Sequence, residues 1–151
     1  MSPLLRTALA ASALTAAAVS AQTPQPAALA SQETNDGVTA EVTEFKRRGN
    51  TLTAKVRYRN DGSEAVTLDV AYSNTYVLDA AGGKKYEILR DDQKNYIAAM
   101  GSSYADRYWG SLEPGKPKLV WIKFPAPPPE VKSATLQLDD APPFDDLPIQ
   151  D

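Results

Sequence analysis

"KVRYRNDGSEAVTLDV", residues 55–70, decides how the chain is read. Before its centre, Val56 and Tyr58 alternate with Lys55, Arg57 and Arg59. After it, Val66, Leu68 and Val70 alternate with Thr67 and Asp69. A period of two sends successive side chains to opposite faces, so each half reads as a strand with one buried and one solvated face. Asn60-Asp61-Gly62 lies between the halves, and these residue types tolerate positive φ. The expectation is a tight hairpin.

The same period continues on both sides. Upstream, Leu52 and Ala54 extend the inner face of the first strand, and Arg47-Arg48-Gly49-Asn50 makes a turn before it. Val38, Ala40 and Val42 line a preceding strand opposite Thr39, Glu41 and Thr43. Phe45 then breaks parity, the mark of a β-bulge. Downstream, residues 75–79 and 85–89 flank Ala80-Ala81-Gly82-Gly83 and predict a second hairpin. Leu112-Glu113-Pro114-Gly115 marks a corner. Residues 118–124 form a strand with Val120, Ile122 and Phe124 inward. Leu119 and Trp121 share its other face, which predicts a cover on that side too. "PAPPPE", residues 125–130, cannot donate ladder bonds at its prolines and reads as a rigid extended connection. Ala134, Leu136 and Leu138 supply the last strand. The acidic, proline-rich tail then places Phe144, Leu147 and Ile149 as plugs over an open end of the core.

Residues 91–113 break the pattern. A stretch this long without an element is unusual in a compact domain. It holds a short helix, an irregular strand or a functional loop. With about seven strand candidates and almost no helical period, the fold class is all-β: an immunoglobulin-like antiparallel β-sandwich of about seven strands with no disulfide.

The ends set the compartment. Residues 1–21, "MSPLLRTALAASALTAAAVSA", place Arg6 before a small-apolar run that closes on Val19-Ser20-Ala21, the order of a secretory signal peptide. The apolar run is about 12 residues, against about 20 needed to cross a bilayer. Cleavage after Ala21 predicts a periplasmic or secreted protein with no membrane insertion. Residues 22–36 are polar with no period and read as a disordered linker or a leftover tail. The domain is expected over residues 37–151. Taking 21 from 151 leaves 130 residues, enough for a core without staples, and the chain has no cysteine. Loss of Arg6 leaves 15 basic and 19 acidic residues, a net charge of −4. That balance argues against nucleic acid or an anionic membrane as partner.

The segments "YRNDGSEAVTLDV" (58–70), "YVLDAAGGKKYEI" (76–88) and "LEPGKPKLVWIKFPAP" (112–127) resemble, in order and spacing, the Ig-like modules of exported bacterial proteins of unknown function. Those modules are related to the immunoprotective extracellular family of secreted sandwich proteins. The resemblance covers roughly residues 37–138 and implies fold and export. It carries over no catalytic residues. The ending "APPFDDLPI" is similar to the close of modules that sometimes precede a wall-binding domain, and the resemblance is not taken to carry wall binding over.

Without histidine or cysteine the chain cannot build a Ser-His-Asp triad, a thiolate nucleophile or a His/Cys zinc site. Ser102-Ser103 has no lysine at a telling spacing. Asp91-Asp92, Asp139-Asp140 and Asp145-Asp146 offer oxygen ligands, but none forms the alternating Asp loop of a Ca²⁺ site. No enzyme, cofactor or metal is expected. The candidate binding residues are Tyr96, Tyr104, Arg107, Tyr108 and Trp109, which combine large apolar area with polar tips. Either these rings grip a partner or they cap the sandwich. The expected function is a non-enzymatic exported binding or interaction module with a protein or cell-envelope partner. The alternative is a small-ligand or Ca²⁺-binding periplasmic protein.

Overall fold

The computed structural model describes residues 23–99 and 104–151. The expected signal segment and Ser102-Ser103 lie outside them. Ten strands appear among the described residues, with no α-helix: β1 (Ala30–Glu33), β2 (Thr39–Arg48), β3 (Thr51–Arg59), β4 (Val66–Ala71), β5 (Tyr76–Asp79), β6 (Lys84–Glu87), β7 (Arg107–Leu112), β8 (Lys118–Pro125), β9 (Ser133–Gln137) and β10 (Phe144–Pro148). They form antiparallel sheets in the orders β1-β2-β3-β8, β10-β9-β5-β6 and β4-β7. One hydrophobic cluster joins all three, with Phe45, Tyr58, Phe124 and Phe144 among its largest members. Burying each such ring contributes about 2–3 kcal/mol.

Much of the pattern holds. Leu52, Ala54, Val56 and Tyr58 are fully buried, as are Val120, Ile122 and Phe124. The β2–β3 register slips between Val42 and Glu44, which is the bulge that restores Phe45 and Arg47 to the inner side. Gly49 turns β2 into β3 at φ 56°. β5 and β6 pair as the second hairpin, with Gly83 at φ 62° and the Asp79 carboxylate accepting from the Gly82 N–H at 3.0 Å. β6 ends its sheet and exposes Lys84 and Lys85 along that edge.

The opening stretch is corrected. β3 and β4 do not pair: β3 lies between β2 and β8, while β4 pairs with β7. Asn60-Asp61-Gly62 does not turn through positive φ either. Asn60 is buried, and its amide donates to the Glu64 and Leu112 carbonyls at 2.7 and 2.9 Å while its Oδ1 accepts from the Gly62 N–H at 2.9 Å. Side-chain bonds of this kind make a corner between sheets rather than a two-residue hairpin.

Three further readings change. Ala30–Glu33, inside the segment read as linker, pairs with β2 as β1. The tail adds more than plugs: Phe144 and Leu147 are buried within a strand, β10, on β9. Leu119 and Trp121 face out uncovered, 54% and 38% exposed. The three strands beyond the seven read from the sequence are β1, β7 and β10. β1 and β10 are short edge strands with weak alternation, and β7 lies in the stretch where the apolar period fails, so the period-two signal does not register them. No helix among the described residues is long and apolar enough to cross a membrane.

Candidate functional site

The segment after β6 runs along the edge of the first sheet. Leu89 donates to the Lys123 carbonyl at 2.9 Å, Lys123 to the Ile97 carbonyl at 3.0 Å, and Ala99 to the Trp121 carbonyl at 2.7 Å. Between the two arms, Asp91 ties a loop. Its Oδ1 accepts from the Gln93 and Asn95 N–H groups at 2.9 Å, and these bonds hold its carboxyl below the usual carboxylate range. Lys94 sits at φ 70° there, with its carbonyl accepting from Arg90 at 3.0 Å.

Tyr96 is placed by this loop. The Arg90 guanidinium stacks 3.9 Å from its ring centre and donates to its hydroxyl at 2.6 Å. Its ring meets Tyr72 edge-on at 5.6 Å, and Tyr72 donates its own hydroxyl to the Ala99 carbonyl. Burial pushes the Tyr72 phenol well up. Tyr72, Asp91, Asn95, Tyr96 and Tyr104 line a cleft of about 230 Å³.

β7 supplies the rest. Alternation along it turns Arg107 and Trp109 to one side and Tyr108 to the other. Trp109 is 39% exposed and Tyr104 50%, and their rings meet edge-on at 6.1 Å. Arg107 lies 5.8 Å from the Tyr104 ring and is held by Asp69 at 3.1 Å and Asp106 at 3.4 Å. These bonds, that with Asp106 foremost, fix its positive charge. Tyr108 packs against the core, and burial raises its phenol. The structure therefore sets Tyr96 and Tyr104 on one cleft, places Arg107 and Trp109 against Tyr104 outside that lining, and sends Tyr108 inward. Tyr72 was missed, although it extends the even-numbered inner row of Val66, Leu68 and Val70.

The chemistry available is stacking, apolar contact and hydrogen bonding. The phenols with raised values stay protonated at neutral pH, and the Asp91 carboxylate is occupied by its own loop. Two other acid pairs also have structural partners. Asp139 accepts from Asn74 at 2.7 Å, Asp140 from Tyr58 at 3.3 Å, and Asp145 from Thr135 at 2.9 Å. No group of three or more acidic residues able to hold a metal gathers among the described residues. A larger hollow, about 570 Å³, lies between residues 80–82 and 128–132. Its walls carry no aromatic side chain, so volume alone does not make it the better site. Compared with known protein families, curated proteins and solved structures, the chain matches none.

Proposed function

We propose that the chain is a non-enzymatic, exported binding module that grips a protein or cell-envelope partner through Tyr104, Trp109, Arg107 and Tyr96. Its fold is read as an Ig-like sandwich whose seven framework strands are β2 to β5 and β7 to β9. β1, β6 and β10 are additions at the sheet ends, which is where the strand orders put them. The sequence resemblance to exported Ig-like modules and the signal-like first 21 residues support this reading.

One observation carries the site: two large rings, Tyr104 and Trp109, stand half-exposed against each other beside a fixed guanidinium. Preorganised aromatic and arginine side chains are the usual composition of an interface hot spot. The test is a Tyr104→Ala, Trp109→Ala double variant. It should lose captured envelope partner by about tenfold or more. Its melting temperature should stay within about 2 °C of the parent, since neither ring is core. A large fall in melting temperature, or undiminished capture, would refute the site.

A further inference from the structure

A groove runs along the outward face of the first sheet, away from the core. One stretch, about 360 Å³, is walled by Pro26, Lys55, Arg57, Pro117, Lys118 and Leu119. A second, about 190 Å³, shares Gln25 and Pro117 with the first and reaches Arg59, Asp61 and Lys116. The carboxylates on these walls are Glu44 and Asp61. With Glu41, which pairs with Arg57 and Arg59, five cations meet three acids, in a chain whose net charge is −3. An acidic protein has gathered positive charge on one face.

Internal ion pairs offset the three cations of β3 and leave two lysines over. Glu44 takes Lys55 at 2.9 Å and Asp61 takes Arg59 at 3.4 Å. Glu41, at the edge of the groove, is shared: Arg57 lies 2.7 Å and Arg59 3.1 Å from its two oxygens. Lys116 and Lys118 are exposed and have no ion pair among the described residues. The Arg57–Glu41 pair is largely buried and stays in place, but the more exposed Lys55–Glu44 and Arg59–Asp61 pairs hold weakly, so a better anion can exchange in there.

The spacing specifies the form of that anion. Lys55, Arg57 and Arg59 recur at every second residue of β3, a repeat of about 7 Å. An extended polypeptide presents alternate side chains at the same repeat. Alongside, Trp121 stands opposite Lys55 and Leu119 opposite Arg57, which sets an apolar row beside the cationic one. The chain's own non-repetitive segment, residues 23–28, already touches this wall: the Pro26 carbonyl accepts from Arg57 Nη1 at 3.3 Å.

We propose that this groove binds an extended acidic segment of a partner protein. Its carboxylates lie on Lys116 and Lys118 and, in exchange for Glu44 and Asp61, on Lys55 and Arg59, and its apolar side chains lie against Leu119 and Trp121. The surface is distinct from the Tyr104–Trp109 mouth, which belongs to β7 in another sheet.

The test uses the full chain and a labelled octapeptide of alternating Glu and Leu, read by fluorescence anisotropy at about 20 mM salt. Saturable binding is expected, weakened about tenfold or more by Gln in place of Glu, or by about 300 mM salt. Lys116→Glu with Lys118→Glu should weaken it to a similar degree. Lys116→Gln with Lys118→Gln serves if the charge-reversed protein melts early. Tyr104→Ala with Trp109→Ala should leave it unchanged, which separates this groove from the proposed aromatic site. Absence of saturable binding, equal binding of the Glu and Gln peptides, or parental affinity in the folded lysine variant would overturn the proposal. So would tighter binding of an oligogalacturonate of equal charge, which would make the occupant an anionic glycan.

Discussion

Asp140 sits where a charge is hardest to keep. It is 5% exposed, its Oδ1 accepts a long bond from Tyr58, and its Oδ2 has no hydrogen-bond partner. Burial pushes its carboxyl up from 3.8 to about 6. The folded chain therefore holds a proton at pH values where the unfolded chain has released it. Stability falls as pH rises from about 4 through about 6, and acidification restores it, the opposite of a salt-bridged aspartate. At neutral pH the strain is roughly 3 kcal/mol. Asp140→Asn keeps the acceptor for Tyr58 and removes the charge. Urea unfolding should show it more stable than the parent by about 1–3 kcal/mol at pH 7, with the advantage gone near pH 4. The neighbouring Asp139 accepts instead from the Ala71 N–H and from Asn74.

Asn60 shows how one side chain routes an element. It satisfies two carbonyls in the corner after β3, one of them from the end of β7, and β7 is the strand that β4 joins. Asn60→Ala leaves those carbonyls without donors and should lower stability by about 2–4 kcal/mol in urea unfolding. Asn60→Asp retains the bond to Gly62 but loses both donations, and should fare no better. This corner also marks where the sequence stops being legible. Strands such as β2, β3 and β8 declare themselves because one face is buried along their whole length. Turn residues declare that the chain bends, but not which strand it meets next, since that depends on distant residues such as Leu112. β1 is unreadable for another reason: Ser31, Gln32 and Glu33 carry no apolar alternation, and only backbone pairing with β2 makes the strand. Likewise the composition of residues 96–109 pointed to an aromatic surface. Only the phase of β7 separates Trp109, which faces out, from Tyr108, which does not. The groove was hidden because net charge averages over faces that the fold separates.

Across the whole molecule, Arg47 fastens one sheet to the rest. Buried at the end of β2, it donates to the Pro127, Pro128 and Val131 carbonyls at 2.9, 2.6 and 3.2 Å and to Asp151 at 2.8 Å. The proline connection between β8 and β9 is positioned by this guanidinium and by the Ala126 N–H on the Asn50 carbonyl. Arg47→Ala should destabilise by about 3 kcal/mol and speed amide exchange at Gln150, whose N–H bonds the Phe45 carbonyl. The bond from Arg47 keeps the Asp151 carboxyl low, so that contact is lost only below the ordinary carboxylate range, a different window from that of Asp140. The lysines of β6 act on a larger scale still. A bare strand margin is a template on which a second chain can nucleate, and ammonium groups make each approaching copy repel the last. Concentrated solutions of the protein should therefore stay free of thioflavin-positive fibrils. Replacing Lys84 and Lys85 by valine should shorten the lag before fibrils form, without first unfolding the monomer.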